Sequence, residues 1–128
     1  TTVDTKAIEA LNVFNYYGYS PIHAATYHGR LKALKFLLES GTSPNQQTRA
    51  KKWTFPTHLA ILANRRSILK HLLKHGADPY LKDWDGWTAW DVAVGCRRKR
   101  CLFILNEWAK KHTIEPPKIY DYWNGENT

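Results

Sequence analysis

The side chains able to do chemistry in this sequence are few and scattered. His71 and His75 stand four residues apart, a spacing that brings two imidazoles onto one helix face. Zinc needs more ligands than these two, and Lys70 and Lys74 flank the pair with charge that opposes a cation. They read as exposed helix histidines beside a basic face. Cys96 and Cys101 form a C-x4-C arrangement with no second pair, which is not the spacing of a zinc knuckle. They read as two buried thiols in a reducing, intracellular compartment, with the cytoplasm favoured and an organelle or the nucleus left open. The sequence contains no glycine-rich phosphate loop and no nucleophile elbow. No acid, base and nucleophile converge. The reading is non-enzymatic, with no catalytic residue, no metal, no cofactor and no small-molecule substrate expected.

Charge says more about partners. Lys and Arg number 19 against 11 Asp and Glu, a net +8 that favours an acidic protein face, nucleic acid or anionic lipid. Hydrophobic residues at 43% and charged residues at 23% describe an ordinary globular domain. No apolar run approaches the ~18 residues of a membrane span. The chain opens on Thr1 and lacks methionine, which reads as a fragment or a processed product.

The elements that would position these residues repeat. Gly18-Tyr-Ser-Pro-Ile-His-Ala-Ala25 is echoed by Trp53-Thr-Phe-Pro-Thr-His-Leu-Ala60 and by Gly86-Trp-Thr-Ala-Trp-Asp-Val-Ala93. His23 and His58 lie 35 residues apart, and His58 and Asp91 lie 33 apart. Leu37-Leu38-Glu-Ser-Gly41 recurs 35 residues on as Leu72-Leu73-Lys-His-Gly76. The first start places a capping residue and then proline in a helix's first turn, Ser20-Pro21. Leu31, Leu34, Phe36, Leu37 and Leu38 follow at helical spacing with lysines between them, and Gly41 ends that helix.

Several such motifs in register at this period resemble the ankyrin-repeat family, over roughly residues 15–110. The resemblance implies an all-α solenoid of about three helix–turn–helix repeats with β-turn fingers, followed by an extended aromatic tail. Residues 1–14 would be an N-terminal cap or the end of a preceding repeat. The repeats would span 15–49, 50–82 and 83–112, the last divergent and terminal, and residues 113–128 would form the Pro/aromatic tail. His23 and His58 would be structural hydrogen-bonding residues at the start of each first helix. Departures from the family pattern include Trp53 and Ala50 in a second finger two residues longer, with Asn64 and Arg97 at the inter-helix glycine position. Altered turns are expected there, within the same fold.

The resemblance also implies where a partner would bind. Fingertips and the adjoining concave helix face fall on Tyr16, Tyr17 and Tyr19, then Lys51, Lys52 and Thr54, then Trp84, Asp85 and Trp87. Tyr27, His28, Leu62 and Ala63 adjoin them on the first helices. Tyrosine and tryptophan dominate interface hot spots, so the aromatic fingers are expected to anchor a protein partner with an acidic patch facing Lys51 and Lys52. That makes the chain a binding module or an accessory subunit of a larger assembly. The alternative is RNA, phosphate or acidic-surface binding by a basic rim at the inter-helix turns. Arg30, then Arg65 and Arg66, then Arg97, Arg98, Lys99 and Arg100 would align there through stacking. The tail residues Ile119, Tyr120, Tyr122 and Trp123 are expected to cap the third repeat or to enter a partner.

Overall fold

A computed structural model of the chain describes residues 13–112. The tail and nearly all of the N-terminal segment therefore lie outside the described residues. Within them the chain forms α1 (Pro21–Tyr27), α2 (Leu31–Glu39), α3 (Pro56–Leu62), α4 (Arg66–Lys74), α5 (Ala89–Gly95) and α6 (Lys99–Lys111). No strand occurs among the described residues. Each odd helix pairs with the even helix that follows, and each pair packs on the next, so α1, α3 and α5 form one layer and α2, α4 and α6 the other.

Local chemistry sets the helix starts. Pro21 and Pro56 occupy the first turns of α1 and α3, where a missing N–H costs nothing. In α5 Thr88 and Asp91 do the same job as a capping box, with the Thr88 N–H donating to Asp91 Oδ2 at 2.8 Å.

The turns between paired helices are alike, contrary to the altered geometry expected at Asn64 and Arg97. Gly29, Asn64 and Arg97 have φ of 71°, 57° and 55°, all in the left-handed region. From this conformation the next residue's N–H reaches back over the helix end. Arg30 donates to Ala25 O at 2.8 Å, Arg65 to Ala60 O at 2.7 Å and Arg98 to Ala93 O at 2.8 Å. Each is the six-to-one bond of a Schellman ending, which demands a left-handed residue before it. Packing of the helix pair enforces the turn, and the side chain there accepts the strain. Asparagine tolerates it better than arginine does.

The core runs along the stack between the two layers. Ile22, Leu34, Ile61, Leu69, Leu72, Leu102 and Leu105 are fully enclosed. Trp90 joins them, its indole N–H donating to Asn106 Oδ1 at 2.8 Å while Tyr80 packs against its ring. Cys101 is buried and Cys96 only half-buried, so one of the two thiols expected in the core is not there; both are free. Among the described residues no helix is long and apolar enough to cross a membrane.

Candidate partner-binding surface

Three fingers precede the odd helices, and side-chain acceptors hold them. In finger one Asn15 Oδ1 accepts from the N–H groups of Tyr17 and Tyr19, both at 2.9 Å, and Gly18 completes the turn at φ 81°. In finger three Asp83 Oδ1 accepts from Asp85 at 3.0 Å and from Trp87 at 2.9 Å. These are the same turn, locked by the carboxamide in one case and the carboxylate in the other. Finger two has Ala50 at that position, and its lock comes from Thr48, whose hydroxyl accepts the Thr54 N–H at 2.9 Å. Thr48 carried no signal in the repeat pattern, because the longer loop moves the acceptor out of register.

Neighbouring fingers are tied by backbone bonds, Arg49 N–H to Gly18 O at 2.8 Å and Trp84 N–H to Trp53 O at 3.2 Å. A Cβ on Gly18 would lie 2.5 Å from the Arg49 carbonyl carbon, so the first tie requires glycine there.

The two motif histidines tie their helices to the loops leading into the following repeat. His23 Nε2 lies 2.7 Å from Gln46 O, and Nδ1 lies 3.0 Å from the Ser20 N–H. Nδ1 accepts and Nε2–H donates, so the ring is neutral. His58 Nε2 likewise meets Trp87 O at 2.7 Å, fixing the third finger from the second repeat. Burial pushes both imidazole pKa values below the usual 6.5, against the smaller opposing effect of those carbonyls.

On this frame the predicted anchors differ in exposure. Tyr16 and Tyr17 project from finger one, edge to face with each other, while Tyr19 is half-buried beside His23. Tyr27 is exposed and packs edge-on against exposed His28. Lys51 and Asp85 are exposed. Lys52 Nζ sits over the Trp84 ring, 5.3 Å from its centroid. Trp84 is 45% exposed, Trp87 40% and Leu62 47%. Fingers two and three and the inner helices enclose a groove of about 320 Å³ lined by Tyr19, Lys52, Leu59, Leu62, Trp84, Trp87 and Val92 among others. Trp87 lies down along α5 because Gly95 leaves room; a Cβ there would meet the indole at 2.9 Å. The structure brings the second and third fingers together around this groove. Tyr16 and Tyr17 are not among its lining residues. Leu59 and Val92, though buried, line the groove, and Gly95 seats Trp87; none of the three was singled out by sequence.

The basic rim has a different internal logic from the one expected. Arg30, Arg65 and Arg98 each immediately precede a second helix. Two of them reach across to the repeat before. Arg65 Nε–H donates to Tyr27 O at 3.2 Å, and Arg98 donates through Nε to Ile61 O at 3.2 Å and through Nη2 to Leu62 O at 2.9 Å. The acceptors are last-turn carbonyls of α1 and α3, the negative ends of those helices. Their signal was legible as an arginine recurring at 35- and 33-residue spacing. Arg97, Lys99 and Arg100 are exposed, and Arg66 is half-buried.

The remaining candidates do not assemble a reactive centre. His71 Nδ1–H donates to Ser67 O and His75 Nδ1–H to His71 O, both at 2.9 Å, within their own helix. Among the described residues no group of three His, Cys, Asp or Glu could hold a metal ion.

Family models for ankyrin repeats match residues 17–49 and 37–93, together more than half of the sequence. The chain belongs to the ankyrin-repeat family. This ankyrin-repeat chain is 31% identical over 101 residues to human transient receptor potential cation channel subfamily A member 1, covering 78% of the chain and 9% of that protein. It is 34% identical over 120 residues to human BCL-6 corepressor-like protein 1, covering 93% of the chain and 7% of that protein. It is 42% identical over 58 residues to human 2-5A-dependent ribonuclease, covering 45% of the chain and 8% of that protein. The ankyrin chain thus spans under a tenth of each relative. The ankyrin fold is typically a non-catalytic module for protein–protein interaction, set into proteins as different as a channel, a corepressor and a ribonuclease.

Proposed function

We propose that this chain is a non-catalytic recognition subunit of a larger intracellular assembly, holding a protein partner through fingers two and three and the inner helix face. The observation that carries this reading is the groove framed by Trp84, Trp87 and Leu62. Large apolar side chains stand half in solvent there, on turns made rigid by the Asp83 and Thr48 locks and the His58 tie. Pre-ordered aromatic surface binds at small entropic cost. Tyr16, Tyr17 and Tyr27 extend the apolar contact toward finger one. Exposed Lys51 and the Lys52 ammonium over Trp84 favour a partner whose anchor is flanked by carboxylates.

RNA or phosphate binding by the rim is the second reading, favoured by exposed Arg97, Lys99 and Arg100. It is weakened because Arg65 and Arg98 already serve helix ends inside the stack.

The test is recovery of partners from the source cell by the native chain and by a Tyr17→Ala/Trp84→Ala/Trp87→Ala variant, with and without nuclease. A protein lost only with the variant, at any nuclease level, is the expected result. Loss on nuclease treatment with the variant behaving as native would replace this reading with rim binding.

A further inference from the structure

A second groove, of about 600 Å³, lies in the furrow between α4 and α6, and no finger residue lines it. Leu73, Phe103, Ile104 and Trp108 supply its apolar lining. Lys70 and Lys74 stand on the α4 side and Lys111 on the α6 side, all three exposed.

The apolar lining is peculiar to the third repeat. The 33-residue spacing that sets Leu72 on Leu105 also sets Lys70, His71 and His75 of repeat two on Phe103, Ile104 and Trp108. The same helix face is therefore polar in one repeat and apolar in the next. Packing inside the stack does not require the change, since Phe103 stays 65% exposed. Trp108 is held in place, stacked on His112 with centroids 4.4 Å apart and 6.3 Å from the Tyr80 ring.

Charge around the furrow has one sign. No acidic residue occurs in α4. Glu107 is the one carboxylate in the lining, and it already lies 3.4 Å from the Lys110 ammonium. Lys70, Lys74 and Lys111 make no ion pair among the described residues.

We infer that this furrow is the docking site of an acidic amphipathic helix of a partner protein, its apolar stripe on Phe103, Ile104 and Trp108 and its carboxylates against Lys70, Lys74 and Lys111. Backbone chemistry selects a helix. Both sides of the furrow are helices whose main-chain groups bond internally, so no free edge exists for an extended strand, whereas a helix satisfies its own backbone. The lining runs from Phe103 to His112, about 13 Å along α6 at the helical rise, which matches two to three turns of a partner helix. Charge complementarity selects its acidic shoulders, because lysines flank the apolar lining from both sides. Glu107 in the lining and the His112 ring on Trp108 oppose the phosphates and stacked bases of a nucleic acid. The net charge of +8 opposes a second copy of the same chain.

The probes are two fluorescein-labelled, hydrocarbon-stapled helical peptides with one shared leucine stripe, flanked by glutamates in the first and by lysines in the second. Fluorescence anisotropy measures their binding to the full chain. The expected result is about tenfold tighter binding of the glutamate peptide, with the order reversed in Lys70→Glu/Lys74→Glu. Phe103→Ser should weaken the glutamate peptide about tenfold through lost apolar contact. Trp84→Ala should change nothing, which separates the furrow from the finger groove. The replaced side chains are exposed, so these variants should melt with the native chain. Equal binding of a glutamate peptide with a scrambled stripe would reduce the furrow to unspecific charge attraction and overturn the inference. So would an unreversed preference in Lys70→Glu/Lys74→Glu, or no binding of the glutamate peptide by the full chain. Displacement of that peptide by an equal concentration of oligouridylate would give the furrow to nucleic acid instead.

Discussion

Replacing Arg98 with methionine keeps the apolar stem and removes the guanidinium, which isolates its hydrogen bonds to the repeat before from packing. Two hydrogen bonds are lost, to Ile61 O and Leu62 O. Bonds to a charged group contribute roughly 1.5–3 kcal/mol each when one partner is deleted. Leu62 is nearly half exposed and its carbonyl regains water, whereas Ile61 is enclosed. Counting the buried bond near the low end of that range, the wetter one at a fraction of it, and a few tenths for the helix end, the loss comes to about 2 kcal/mol. Arg65 makes a single bond from an exposed position, so Arg65→Met should cost about 1 kcal/mol. Arg30 is exposed and has no hydrogen-bond acceptor among the described residues, so Arg30→Met should cost nothing measurable. Urea unfolding followed by circular dichroism gives the three values, with an unchanged slope showing that the stack still melts as one unit. The graded order Arg98, Arg65, Arg30 is the signature. Equal effects at the three positions, or a loss at Arg98 below about 0.5 kcal/mol, would refute this role of the arginines, since that is the scatter of ordinary surface substitutions.

Two further outcomes follow from the same structure. His23 and His58 have folded pKa values below the unfolded 6.5, so the unfolded chain binds more protons near and below that pH; stability should fall as pH drops from 7 through 6.5 toward their folded values, and a His23→Gln/His58→Gln variant should show a flatter dependence of melting temperature on pH. Arg97 holds a left-handed conformation at φ 55° where the first repeat uses glycine, so Arg97→Gly should raise stability by about 0.5–1 kcal/mol in the same urea assay, and no gain would mean that its side chain offsets the strain.

Much of this architecture can be read before any coordinates. A 33- to 35-residue period survives because every repeat must bury the same small face against the next, and proline, glycine and leucine at fixed offsets are the local means of doing so. That is enough to place the helix pairs; the ankyrin resemblance adds the fingers and the expectation that His23 and His58 are structural. Where the fingertips fall comes from the ankyrin resemblance carried over in register, and the structure finds Tyr16, Tyr17, Trp84 and Trp87 exposed there.

Other features depend on residues that meet only after folding. The turns at Asn64 and Arg97 look defective in sequence, yet they match Gly29, because a Schellman bond and a packed helix pair outweigh a local preference of about 1 kcal/mol. Thr48 holds finger two through a contact that the repeat pattern does not mark. Trp87 rests on Gly95 eight residues later because the α5 end happens to be bare there. The arginines show the division most clearly. Sequence places a basic residue before every second helix, which is a matter of composition and spacing. Whether that charge faces solvent or closes a helix end is set by the neighbouring repeat, since the carbonyls it meets lie 36 to 38 residues away and come within reach only when the layers stack.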